Sequence, residues 1–209
     1  MEADLSFRPE RAYLEMARCF HLAVALDDNG IEVSPRTQQL LPDDITFALV
    51  ANSYIMSYTA VVAFVNGQLS RFWESGALKE KFPKAEDFDQ LTKKGEYLGD
   101  VKKALKELCF QFQKESISTA QRELWHDFKT VVYRARNYYS HPKPYTLDSV
   151  VRDSFSKEWN FAPQIAAMVI AYFYENPEAP RNKWLWQNQE FSVLQYKVTN
   201  PKQIPPDLL

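Results

Sequence analysis

The 209-residue chain sets 25 Lys and Arg against 27 Asp and Glu, a net charge of −2, and is 45% apolar and 14% aromatic. That balance excludes a polyelectrolyte chain drawn to nucleic acid by bulk charge, and the apolar content excludes intrinsic disorder. A chain of this length buries roughly 70% of its extended surface on folding, so its core needs neither disulfide nor metal.

With five glycines and long periodic segments, the sequence predicts an all-α fold of about five helices in one domain over 1–180. Pro9 suits a first helical turn and DDNG at 27–30 suits an exit, which predicts a first helix over 9–26 with Leu14, Cys19, Leu22 and Leu26 on its packing face. VSPRTQQLLP reads as a linker. Asp43 or Asp44 then caps a long helix to about Trp73. Its stretch FALVANSYIMSYTAVVAFV at 47–65 resembles a membrane span, yet Asn52, Ser53, Tyr54, Ser57, Tyr58 and Thr59 interrupt it. A span needs about 20 consecutive apolar residues, so a central core helix and no membrane association are expected.

Residues 75–95 hold Gly76, Pro83 and Gly95 among mixed charges and read as a loop with room for one short helical turn. A third helix over 97–114 places Val101, Leu105, Leu108 and Phe112 on one face. A fourth starts from Ser118 or Thr119, carries Leu124, Phe128, Val131, Val132 and Ala135 at spacings of three and four, and ends near Ser140 or His141 because Pro142 disfavours the α conformation before it. A fifth, over 162–175, is stopped by Asn176 and Pro177. WLWQNQEFSVLQYKV at 184–198 predicts a small C-terminal β-hairpin or extended arm within a separate segment, 181–209, that ends in a proline-rich tail. Trp184, Trp186 and Phe191 in this arm would anchor a partner or cover the helical core. Cys19 and Cys109 stand alone with no CxxC spacing, and MEADLSFRPE lacks the blocks of a signal peptide, so a reducing cytoplasm is expected.

The residues with chemical potential gather in RARNYYSHPKPY at 134–145. Across 122–143 five basic residues (Arg122, Lys129, Arg134, Arg136, Lys143) face two acids (Glu123, Asp127), a local positive bias. His141 should sit at a helix C-terminus, where unpaired carbonyls favour imidazolium and burial would oppose it. Asn137 lies four residues before it, on the same helical face, and the long Arg136 side chain can reach across. One helix end thus offers an imidazole for proton transfer, a guanidinium for phosphate and an amide to orient both. RNA supplies its own nucleophile, the 2′-hydroxyl. One histidine performs both proton transfers poorly, and a two-fold dimer would supply a second.

Other readings stand beside this one. A histidine at a helix end also serves as a C-cap, and the same residues would serve ligand binding without catalysis. Arg134, Tyr138, Tyr139 and Lys143 are candidate RNA contacts, with solvated charge and aromatic packing as their plainer roles. His126 lies ~22 Å from His141 along a straight helix, too far for one small site. His21 and Cys19 do not face each other on a helix, so no metal and no cofactor are expected.

The string Arg136-Asn137-Tyr138-Tyr139-Ser140-His141 at the end of a long helix resembles the Arg-x4-6-His motif of the HEPN superfamily. The resemblance, which matches the family core to about 45–175 by pattern, implies a helical bundle that acts as a metal-independent ribonuclease, working as a homodimer with paired motifs facing each other. It makes His141 the proton-transfer residue, Arg136 the phosphate binder and Asn137 the orienting residue, with 2′,3′-cyclic phosphate and 5′-hydroxyl products. It also implies a defence, stress or toxin–antitoxin setting, with an antitoxin or regulatory protein as a further partner. A non-catalytic HEPN-like module that binds nucleotide, RNA or protein is the alternative, and a structural helical protein capped by His141 is the third. One subgroup carries tyrosine two residues after the histidine, where its antitoxin adds adenylate. Here that position is Lys143 and the nearest tyrosine is Tyr145, which argues against that pairing.

Overall fold

A computed structural model describes residues 8–23, 25–27, 30–32, 43–92, 98–140, 162–175 and 185. Among these the chain forms an all-helical bundle of seven helices: α1 (Pro9–Ala23), α2 (Asp43–Glu74), α3 (Ala85–Thr92), α4 (Leu98–Gln111), α5 (Ile117–Ala120), α6 (122–140) and α7 (Ala162–Ala171). The five helices expected from periodicity are present. The two additional ones are α3, in a segment read as loop, and the single turn α5 ahead of α6. The first helix ends three residues earlier than expected, and two three-residue strands follow it: β1 (Ala25–Asp27) pairs antiparallel with β2 (Gly30–Glu32) in the register Ala25↔Glu32. The predicted C-terminal hairpin and arm lie outside the described residues, apart from Leu185.

Helix α2 is the axis of the bundle. By length and composition Ala48–Glu74 would also suffice to cross a membrane, and in this structure α2 packs against α1, α4, α6 and α7. Val50, Tyr54, Tyr58, Val61, Phe64, Val65 and Leu69 are all buried along it. The polar residues that broke the apolar run explain how neighbours approach so closely. Ser53 Oγ donates to the Ala17 carbonyl of α1 at 3.0 Å, and Ser57 Oγ donates to the Ser53 carbonyl at 2.7 Å. Both hydroxyls are fully buried and satisfied, so small side chains narrow the α1–α2 seam without an orphaned polar group.

Two ends are closed by named contacts. Gly76 follows α2 at φ 92°, a conformation open to glycine, and turns the chain so that Trp73 stacks on Phe88 of α3 with centroids 5.3 Å apart while its Nε1 donates to the Phe82 carbonyl at 3.1 Å. Helix α7 is buried except at Gln164 and Met168 and lies against α1, α2 and α6. Lys114 Nζ donates to the Tyr172 carbonyl beyond its end, and Tyr172 Oη donates to the Glu115 carbonyl at 2.8 Å. Leu185 is buried as well, its carbonyl accepting from Arg18 of α1. Burial pulls that guanidinium below its ordinary pKa, and the nearby Glu15 opposes the shift.

Candidate functional site

Helix α6 changes character along its length. Arg122–Asp127 is α-helical, Phe128–Tyr133 is π-helical, and Arg134–Ser140 returns to α. In the π stretch the Arg134 N–H reaches back five residues to the Lys129 carbonyl, and the Thr130 hydroxyl donates to the His126 carbonyl at 2.9 Å beside it. In an α-helix residues five apart are turned by about 140° from each other. Here Phe128 and Tyr133 both meet the ring of Tyr58 on α2, with centroids at 6.0 Å and 5.7 Å. One extra residue per turn therefore resets the face of α6 just before the motif, a device found frequently at functional sites.

After that reset, Arg136 points onto α2. Its Cζ lies 5.1 Å from the Tyr58 ring centroid, within cation–π range, and its Nη1 donates to Asn137 Oδ1 at 2.9 Å. Two of the three predicted catalytic residues are thus joined, the guanidinium lying near the Tyr58 ring with Nη1 hydrogen-bonded to Asn137. Both are half-buried. Burial pushes the Tyr58 phenol well above the usual tyrosine range, the Arg136 charge pulling it back only in part, so the ring stays neutral. A neutral ring orients the cation without adding an anion to it.

His141 and Lys143 lie outside the described residues. Of the candidate RNA contacts, Arg134 is exposed and sits over Tyr138, its Cζ 5.7 Å from the ring centroid and its Nη2 3.5 Å from the phenol oxygen. Tyr139 stacks instead on Tyr54 of α2, centroids 5.7 Å apart, which commits one face of its ring to packing. Further up α6, Arg122 is exposed and Lys129 half-buried, with the acids Glu123 and Asp127 exposed between them. His126 is exposed, fifteen residues before His141 in the sequence.

Tyr58 and Tyr54 were not singled out by sequence reasoning as parts of the site. Both come from the core helix, and the only available signal was that tyrosines, rather than phenylalanines or leucines, fill its buried positions. Among the described residues no group of three or more His, Cys, Asp or Glu side chains is placed to hold a metal ion. No protein-family model matches the chain, and neither the curated proteins nor the solved structures give a significant match.

Proposed function

We propose that this chain is a metal-independent endoribonuclease of HEPN-like type, acting on RNA as a cytoplasmic homodimer. The observation that carries the reading is the Arg136–Asn137 pair, held against Tyr58 at the end of a helix whose next residue is His141. In this mechanism the RNA 2′-hydroxyl attacks the adjacent phosphorus. One His141 imidazole takes the 2′-hydroxyl proton as the new P–O2′ bond forms. The imidazolium of the other subunit's His141 protonates the departing 5′-oxygen as P–O5′ breaks. Arg136 binds the non-bridging oxygens, whose charge grows in the phosphorane, and Asn137 keeps the guanidinium turned toward them. Arg134, Tyr138, Tyr139 and Lys143 belong to the same proposal as contacts to the RNA strand. A defence, stress or toxin–antitoxin setting, with an antitoxin or regulatory protein as further partner, rests on the resemblance of the motif.

The second reading is a non-catalytic module that binds nucleotide, RNA or protein, favoured by the net charge of −2. Incubating wild-type and His141→Ala protein with mixed RNA in excess EDTA separates the two. The proposal expects cleavage by the wild type alone, leaving 2′,3′-cyclic phosphate ends. Intact RNA with a folded wild-type dimer would refute it in favour of the binding module.

A further inference from the structure

We infer that Tyr58 is the positioning residue for Arg136, its ring holding the guanidinium in the orientation that receives an RNA phosphate. The inference deepens the ribonuclease reading and rests on it. An arginine side chain is long and rich in rotamers, and bidentate phosphate binding requires its terminal plane to be fixed. Tyr58 is suited to fix it. The ring is only 3% exposed and is itself gripped by α6, stacked on Phe128 at an interplanar angle of 16° and tilted 47° against Tyr133. Arg136 lies 5.1 Å from the same ring. Three residues of α6 therefore converge on one side chain of α2, and the π-helical turn lets Phe128 and Tyr133 do so together.

A carboxylate in Tyr58's place would also orient Arg136, but it would cancel the charge that phosphate needs. The aromatic face attracts the guanidinium through its quadrupole and adds no negative charge of its own. The phenol hydroxyl is not required by this argument. Phenylalanine should therefore substitute for tyrosine, and an aliphatic residue should not.

The test uses a 2′-O-methyl oligoribonucleotide in EDTA, whose blocked nucleophile makes binding measurable without cleavage. Tyr58→Phe is expected to bind within about twofold of the wild type. Tyr58→Met, which fills the volume with a flexible apolar chain but removes the π face, should bind about tenfold more weakly. Phe112→Leu, which loosens an aromatic contact remote from Tyr58, between Phe72 of α2 and Phe173, should bind nearly as the wild type does. Melting temperatures are taken for every variant, and binding is read well below them. Wild-type binding by Tyr58→Met, failure of Tyr58→Phe to preserve it, or an equal loss in Phe112→Leu would each overturn the inference.

A second measurement holds even where the methionine variant does not fold. In the wild type, the Arg136 Nε–H resonance, assigned by its disappearance in Arg136→Lys, should be shifted by the Tyr58 ring current. A random-coil position would overturn the inference directly. Should the wild type bind the methylated RNA in the expected order of variants yet leave ordinary RNA intact, the ribonuclease reading fails and the positioning role stands. Absence of wild-type binding defeats both.

Discussion

Tyr58 joins core packing to the chemistry of Arg136, and its phenol supplies a test of that burial. The folded protein raises its pKa, while the unfolded chain releases the proton at the ordinary value of 10.0. Below about pH 10 the proton is bound in both states and the contribution of this group to stability is fully present. Above it the unfolded chain ionises first, binds fewer protons than the folded one, and stability falls as the pH climbs toward the folded pKa. Each pH unit spent in that window costs about 1.4 kcal/mol per such group. Urea unfolding of wild type and Tyr58→Phe at pH ~8, ~10 and ~11 should show the variant losing less stability on the alkaline side. Burial raises Tyr174 as well, so the wild type keeps a common background slope and the difference between the two proteins is the quantity read. Parallel curves would mean that the Tyr58 phenol ionises as easily in the folded state as in the unfolded one.

At the level of elements, the π-helical stretch carries the most consequence. Inserting one alanine between Tyr133 and Arg134, just past the π-helical stretch, turns Arg134–Ser140 by about 100° relative to Phe128–Tyr133. Arg136 then leaves the Tyr58 face. Circular dichroism is expected to show helix content close to the wild type while RNA cleavage falls at least tenfold. Full cleavage by the insertion variant would show that the register of α6 is not what places the motif. The sequence reveals the existence of α6, because Leu124, Phe128, Val132 and Ala135 repeat at helical spacing. It hides the π turn, because the same residues fit a regular helix equally well and the distinction depends on Tyr58 gripping Phe128 and Tyr133 together. The end of α4 was obscured for a similar reason. The helix stops at Gln111 through a turn in which Gln113 takes φ 53° and Lys114 N–H reaches the Cys109 carbonyl at 2.8 Å, with no glycine to mark it. Helix α3, read as room for one short helical turn, runs longer over Ala85–Thr92 because its reason to form is tertiary. Phe88 is buried against Trp73 and Phe82, while the segment around it is mostly polar.

For the whole molecule, the long apolar helix at the centre of a helical bundle was legible because 47–65 contains more apolar surface than a surface helix would carry, with Ser53 placed where α1 comes close. The pairing of Arg136 with Asn137 was legible from adjacency. What adjacency conceals is that a motif with one histidine lacks a partner for the second proton transfer. If two copies meet about a two-fold axis, the His141 that accepts the 2′-hydroxyl proton and the His141 that protonates the leaving oxygen belong to different subunits, and each dimer needs both. Subunit mixing then has a specific signature. With His141→Ala chains exchanged into wild-type protein at constant total concentration, cleavage should follow the square of the wild-type fraction. At an equal mixture, about a quarter of the activity should remain, since only about a quarter of randomly assorted dimers carry two histidines. Sedimentation in parallel establishes that the mixed species are dimers. A linear fall, to about half, would mean that each subunit cleaves with its own His141 and that the second proton comes from water or from a residue outside the motif. The curvature of that one titration therefore distinguishes a shared active site from two independent ones without requiring the RNA target to be known.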